Sequence, residues 1–142
     1  MTKAFLAPLV LLLSVITGVR ADVVNIDAAE LSRLAAIGVP VIDIRTAPEW
    51  KETGVIAGSK LMTFFDERGQ ADAQAWVQKL KSTASPSQPV ILICRTGNRT
   101  NTVSQFLTKQ IGYKVVYNAS GGIQSWMKAG FPVVAASAVA DK

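Results

Sequence analysis

The sequence predicts an α/β fold built on a mostly parallel sheet. Short β-branched and aliphatic runs alternate with amphipathic stretches, which is the pattern of strands joined by crossover helices. Residues 39–44 and 90–93 are apolar runs of the kind found in strands buried on both faces. Glycines at positions 38, 112 and 130 close the amphipathic stretches, as helix-terminating glycines do.

Taken in order, residues 23–26 form a first short strand. Asp27 followed by Glu30 is a capping-box start, and the helix it opens runs through Leu31, Leu34 and Ile37 until Gly38. Residues 39–44 make a central strand ending in Asp43-Ile44-Arg45, and a loop with Pro48, Glu49 and Trp50 follows. A weak strand lies around Leu61 and Met62, and a helix over residues 72–80 turns Ala75, Trp76 and Leu80 inward. Residues 82–89 are polar, contain two prolines and cross the surface. Residues 90–93 are the strongest strand, with Cys94 at its carboxyl end. A helix over residues 100–111 carries Val103, Phe106, Leu107 and Ile111 on one side. Residues 113–117 are the last strand, and Gly121-Gly122 opens a short helix through Trp126. The aromatics Trp50, Trp76, Trp126, Phe64 and Phe65 are read as core or pocket wall.

Residues 1–21 have the three-part layout of a secretory signal peptide: Lys3, an apolar run, then a Val19-Arg20-Ala21 ending. The uncharged stretch 4–19 is 16 residues, short of the roughly 20 that cross a bilayer core. Cleavage after Ala21 is therefore expected, giving a periplasmic or secreted protein with no membrane attachment. One domain over residues 22–134 and a flexible tail over 135–142 complete the expected organisation.

Composition removes several function classes. The 142 residues include one cysteine and no histidine. Disulfide scaffolds, Cys/His zinc sites and nucleophiles that need an imidazole base are thereby excluded, and neither metal nor cofactor is expected. The net charge of +5 includes Lys3 and Arg20; without them, 13 basic residues face 10 acidic ones. The basic residues are scattered and form no stripe, so no nucleic-acid partner is expected.

The segment that carries chemistry is Cys94-Arg95-Thr96-Gly97-Asn98-Arg99-Thr100, between a buried strand and a helix start. In open α/β sheets ligands bind beyond the carboxyl ends of strands, where a helix amino terminus offers unpaired N–H groups. Gly97 allows a positive φ, so successive N–H groups of the loop can converge as an anion nest. Arg95 and Arg99 add positive charge, and the segment holds no acid. Such surroundings lower a cysteine pKa from about 8.5 into a range of roughly 3.5 to 7.5, so a thiolate forms without a histidine. The competing reading makes Cys94 a small buried hydrophobe at a strand end, followed by an ordinary turn.

Three blocks in order resemble the rhodanese family of sulfurtransferases. They are residues 41–45 with Glu49-Trp50 and residues 54–59; the loop 94–100; and Gly121-Gly122 with Trp126, Gly130, Phe131 and Pro132. The resemblance implies a five-stranded parallel sheet flanked by helices on both faces, and a Cys94 that cycles through a persulfide. It implies backbone N–H groups of the loop around the transferred sulfur, with Thr96 and Asn98 contributing mainly theirs, and Arg95 and Arg99 on the donor's oxyanion. Thr100 is counted as supporting, Arg45 is expected to pair with Glu49, and Asp43 to organise the loop. Many members have histidine where this chain has Val55. Related phosphatases and arsenate reductases have a loop one residue longer, whereas Arg99 here follows Cys94 after four residues, a nest sized for one sulfur. The expected partners are a small sulfur donor, such as thiosulfate or polysulfide, and cyanide or a thiol as acceptor, including a possible protein acceptor. A relay protein that binds sulfane sulfur with little free turnover is the alternative.

Overall fold

A computed structural model describes residues 21–139. The leader assigned to residues 1–21 lies almost wholly outside the described residues. Five strands, β1 (Asp22–Ile26), β2 (Val41–Asp43), β3 (Lys60–Leu61), β4 (Val90–Ile93) and β5 (Val115–Ala119), form one sheet in the order β1-β5-β4-β2-β3. Every pairing in it is parallel. The helices are α1 (Ala28–Ala36), α2 (Ala47–Thr53), α3 (Ala73–Thr83), α4 (Asn98–Phe106) and α5 (Gly122–Lys128).

Strand alternation divides the core into two layers. Ile42, Val90, Leu92 and Val116 pack with Trp76, Val77 and Leu80 of α3 and Val103 of α4. Val41, Ile91, Ile93 and Ala119 pack with Leu31 and Leu34 of α1 and Ile123 and Trp126 of α5. Helices therefore cover both faces, and β4 in the middle is wholly buried. This is why its four residues are all apolar rather than alternating. Among the described residues no helix is long and apolar enough to cross a membrane.

Several elements depart from the sequence reading. The loop expected after Arg45 is helix α2, which buries no residue and so leaves no apolar periodicity to read. Its start is nevertheless encoded: Glu49 Oε2 accepts from the Thr46 N–H and hydroxyl, each at 3.0 Å, and Pro48 sits in the first turn where its missing N–H is harmless. At α1 only half of the capping box forms. Asp27 accepts from the Glu30 N–H at 2.8 Å, while the Glu30 carboxylate turns to Arg33. Ala75 faces solvent, and Val77 takes its place in the core. The helix expected over 100–111 starts at Asn98 and widens into a π-helical turn at Leu107–Ile111 before Gly112. The last strand starts two residues late, at Val115, and Tyr113 before it is buried, its hydroxyl donating to the Ala84 carbonyl at 2.7 Å. Among the large aromatics, Phe64 packs edge-on against Phe65 and Trp76, and Trp126 stacks on Phe131. After Val134, which bridges to Val55, a single 3-10 turn occupies Ala136–Ala138.

Candidate active site

The loop 94–100 leaves the carboxyl end of β4 and enters α4, with Gly97 at φ +93 as the helix cap. A side chain at Gly97 would need a positive φ and would press on the Gly121 nitrogen and Ala119 carbonyl at 3.0 and 3.1 Å. Backbone carbonyls of the loop are drawn away from its centre by α5: Ile123 N–H donates to Cys94 O at 2.9 Å and Gln124 N–H to Arg95 O at 3.2 Å. Gly122 makes this possible, since a Cβ there would collide with those same carbonyls. With the carbonyls turned toward α5, N–H groups are left facing the sulfur. Gly97 N–H reaches Cys94 Sγ at 3.2 Å.

Thr100 closes the other side of the sulfur. Its hydroxyl lies 3.4 Å from Sγ, 2.6 Å from Asn118 Oδ1 and 3.2 Å from the Gly97 carbonyl. Asn118, on β5, donates through Nδ2 to Asn25 Oδ1 of β1 at 2.8 Å. Cys94 is buried, at 1% exposed. Burial pushes the thiol pKa up, but the Thr100 hydroxyl and the N–H groups of Thr100, Gly97 and Thr96 together outweigh it and leave the pKa lowered. The thiolate is thus held by hydrogen bonds more than by neighbouring charge.

The charged residues sort differently from the sequence expectation. Arg45 does not pair with the Glu49 carboxylate. Its guanidinium meets Asp43 at 2.7 Å, with further bonds to Thr53 Oγ1 and the Gly54 carbonyl at 2.7 and 3.1 Å. Arg45 lies in the bend just past β2, from which its guanidinium folds back on Asp43, and two charges buried to 0–1% exposure must neutralise each other. Asp43 is consequently occupied by Arg45 rather than by the loop, and the pair ties the end of β2 to the end of α2. Glu49 instead crosses to Arg99, with contacts of 2.6 and 3.0 Å. Arg99 holds the Glu49 carboxyl down at about 2, against a burial contribution that raises it, with help from Thr46. Glu49 in turn raises the Arg99 pKa, to which the nearby Cys94 adds. The acid-free loop of the sequence therefore acquires an acid from fifty positions upstream. Arg95, Thr96 and Asn98 are exposed at the rim, and Arg95 has no ion pair among the described residues. Sequence reasoning singled out every residue of the loop but missed Asn118, whose signal was a polar side chain inside a buried strand.

A parallel α/β sheet with a hydrogen-bonded cysteine at the tip of its central strand, cupped by a glycine turn, defines the class of the fold and site. The chain belongs to the rhodanese-like domain family, whose model matches residues 27–129. It is 25% identical over 116 residues to thiosulfate sulfurtransferase 18 of Arabidopsis thaliana, covering 79% of this chain and 84% of that one. It is 27% identical to the rhodanese-like domain-containing protein 17 of the same plant, over 78% of this chain and 72% of the relative. Among solved structures, the polysulfide-sulfur transferase homodimer of Wolinella succinogenes matches with a TM-score of 0.62 at 25% identity, over 82% of this chain and 81% of that one. These relatives support sulfur transfer as the general activity of this rhodanese-type chain.

Proposed function

We propose that this protein is a sulfurtransferase that carries sulfane sulfur on Cys94. The thiolate attacks the outer sulfur of a donor such as thiosulfate, the S–S bond of the donor breaks, and sulfite leaves with the bonding pair. Cyanide or a thiol then takes the outer sulfur of the persulfide and restores the thiolate. Both steps are covalent catalysis and give ping-pong kinetics. Sulfite leaves without needing a proton, so a site with no general acid suffices. The observation that carries this reading is the Gly97 N–H on Cys94 Sγ at 3.2 Å within a loop whose carbonyls are turned outward.

Arg95 at the rim is the guanidinium available to a donor's oxygens. Arg99 reaches them only in competition with Glu49. Thr96 and Asn98 offer N–H groups, and Thr100 the hydroxyl beside the sulfur. Thiosulfate-to-cyanide turnover of the protein, measured beside Cys94→Ser, tests the assignment. Turnover and the gain of one sulfur in intact mass are expected to vanish in the variant; equal rates in both would overturn it.

A second reading is favoured by the Glu49–Arg99 pair, which weakens the site's pull on a doubly charged donor, and by the likeness to a polysulfide-sulfur transferase. In it the protein accepts polysulfide sulfur and relays it to a partner, with slow turnover toward small acceptors. We also propose export with cleavage after Ala21. A cut there leaves Asp22, the first residue of β1, as the new amino terminus. The amino-terminal sequence of the protein recovered from its native compartment decides that point.

A further inference from the structure

We infer that Asn118 is a positioning residue that lets the Thr100 hydroxyl reverse its direction, accepting from the Cys94 thiol and donating to the thiolate. This rests on Cys94 being the reacting thiol of the sulfur-transfer reading above. The Thr100 hydroxyl has one proton and three acceptors in reach: Asn118 Oδ1 at 2.6 Å, the Gly97 carbonyl at 3.2 Å and Cys94 Sγ at 3.4 Å. Either atom of the Thr100–Cys94 contact can donate; in one of the two states the shortest bond takes the hydroxyl proton to Asn118. The oxygen's lone pair then faces the sulfur and can only accept from a thiol S–H.

A thiolate needs the opposite polarity, and the groups beyond Thr100 permit it. Asn118 is 4% exposed and bonds through Nδ2 to Asn25 Oδ1 at 2.8 Å. Asn25 is its lateral neighbour in the β1–β5 ladder and is exposed at the sheet edge. Both side chains are amides, whose donor and acceptor ends have nearly the same shape. Turning both over leaves the packing unchanged and reverses every bond: Asn25 Nδ2 donates to Asn118 Oδ1, Asn118 Nδ2 to Thr100 Oγ1, and Thr100 to the sulfur. The thiol proton leaves to water, and the amides rotate rather than carry it. Solvent at Asn25 satisfies either orientation. Around Cys94 the charged groups are Arg99 with its partner Glu49, Arg95 next in the chain, and the self-neutralised Asp43–Arg45 pair at the end of β2. On the β5 side Asn118 and Asn25 are neutral, so no charge there dictates the chain's direction.

The test acts from the exposed end. Asn25→Asp can only accept, so it holds Asn118 Nδ2 toward β1 and Oδ1 toward Thr100. That locks the hydroxyl away from the thiolate without altering any residue that touches Cys94. The readout is the pH midpoint of Cys94 alkylation by iodoacetamide, followed by intact mass, which does not depend on sulfur-transfer activity. A hydrogen bond to a charged group is worth about one pKa unit or more. The midpoint is therefore expected to rise by about one unit in Asn25→Asp, a tenfold loss of thiolate below it. Asn25→Ala leaves the end of the chain to water and is expected to match the parent. In a Thr100→Val background, which removes the reversible hydroxyl, the same Asn25→Asp change should lose most of its effect, while a through-space effect of the added charge would persist. An equal shift in both backgrounds, or none in the parent, overturns the proposal. Asn118→Asp repeats the lock from inside and is expected to raise the midpoint in the parent more than in Thr100→Val.

Discussion

Two ion pairs whose acids, Asp43 and Glu49, lie six residues apart in the chain do opposite things. Asp43–Arg45 is sealed, at 0% and 1% side-chain exposure, whereas Glu49–Arg99 is 22% and 30% exposed at the mouth of the reactive loop. The sealed pair is closed to solutes, since the bonds of the guanidinium go to Asp43 at the end of β2 and to Glu49 O, Thr53 and Gly54 within and just after α2. The open pair can trade partners with a solute. Burial, not distance, separates a charge pair that holds the fold from one that sets what the site admits, because the two contacts differ by only 0.1 Å.

The largest effect is expected from Arg45→Met, which strands the Asp43 carboxylate in the core. Breaking one side of a buried pair costs about 3–5 kcal/mol, and denaturant unfolding at neutral pH should register a loss of that size. Glu49→Gln keeps the shape of the open pair and removes its charge. Its expected consequence is kinetic: a KM for thiosulfate several-fold lower, as Arg99 is released toward the donor, with stability reduced by about 1 kcal/mol or less. An unchanged KM would show that Arg99 is not within the donor's reach.

The same pair has a pH signature. The Glu49 pKa is lowered from 4.5 to about 2 in the folded protein. A depressed carboxylate stabilises the fold above its unfolded value and stops doing so as pH falls through the folded one. The stability gap between the parent and Glu49→Gln should therefore be constant above about pH 5 and close between there and pH 2, as followed by unfolding at successive pH values. The smallest effect belongs to Glu30–Arg33 on the open face of α1. Glu30→Gln there is expected to leave the melting temperature within measurement error, since exposed pairs contribute little.

What the sequence disclosed follows from which signals are local. Strand β4 was legible because four consecutive buried residues need no partner to be recognised, and the loop after it because its glycine, arginines and cysteine are adjacent. Helix α2 was not, since none of its residues is buried. The Arg45 pairing was misjudged for a different reason. Glu49 lies four residues from Arg45 and looked like its partner, but the Arg45 guanidinium folds back on Asp43 two residues before it, and Glu49 found Arg99 through a contact fifty residues long in sequence. The link from Thr100 through Asn118 to Asn25 joins three separate elements and leaves no pattern in any one of them.

The contact between Gly122 and the carbonyls of Cys94 and Arg95 also has a meaning in time. The cradle around the sulfur is closed by a helix that comes after β5 in the chain, and that helix can dock only once β5 lies against β4. The lowered thiol pKa is thus a property of the finished fold, because the groups that lower it are brought to the sulfur from a loop that α5 braces.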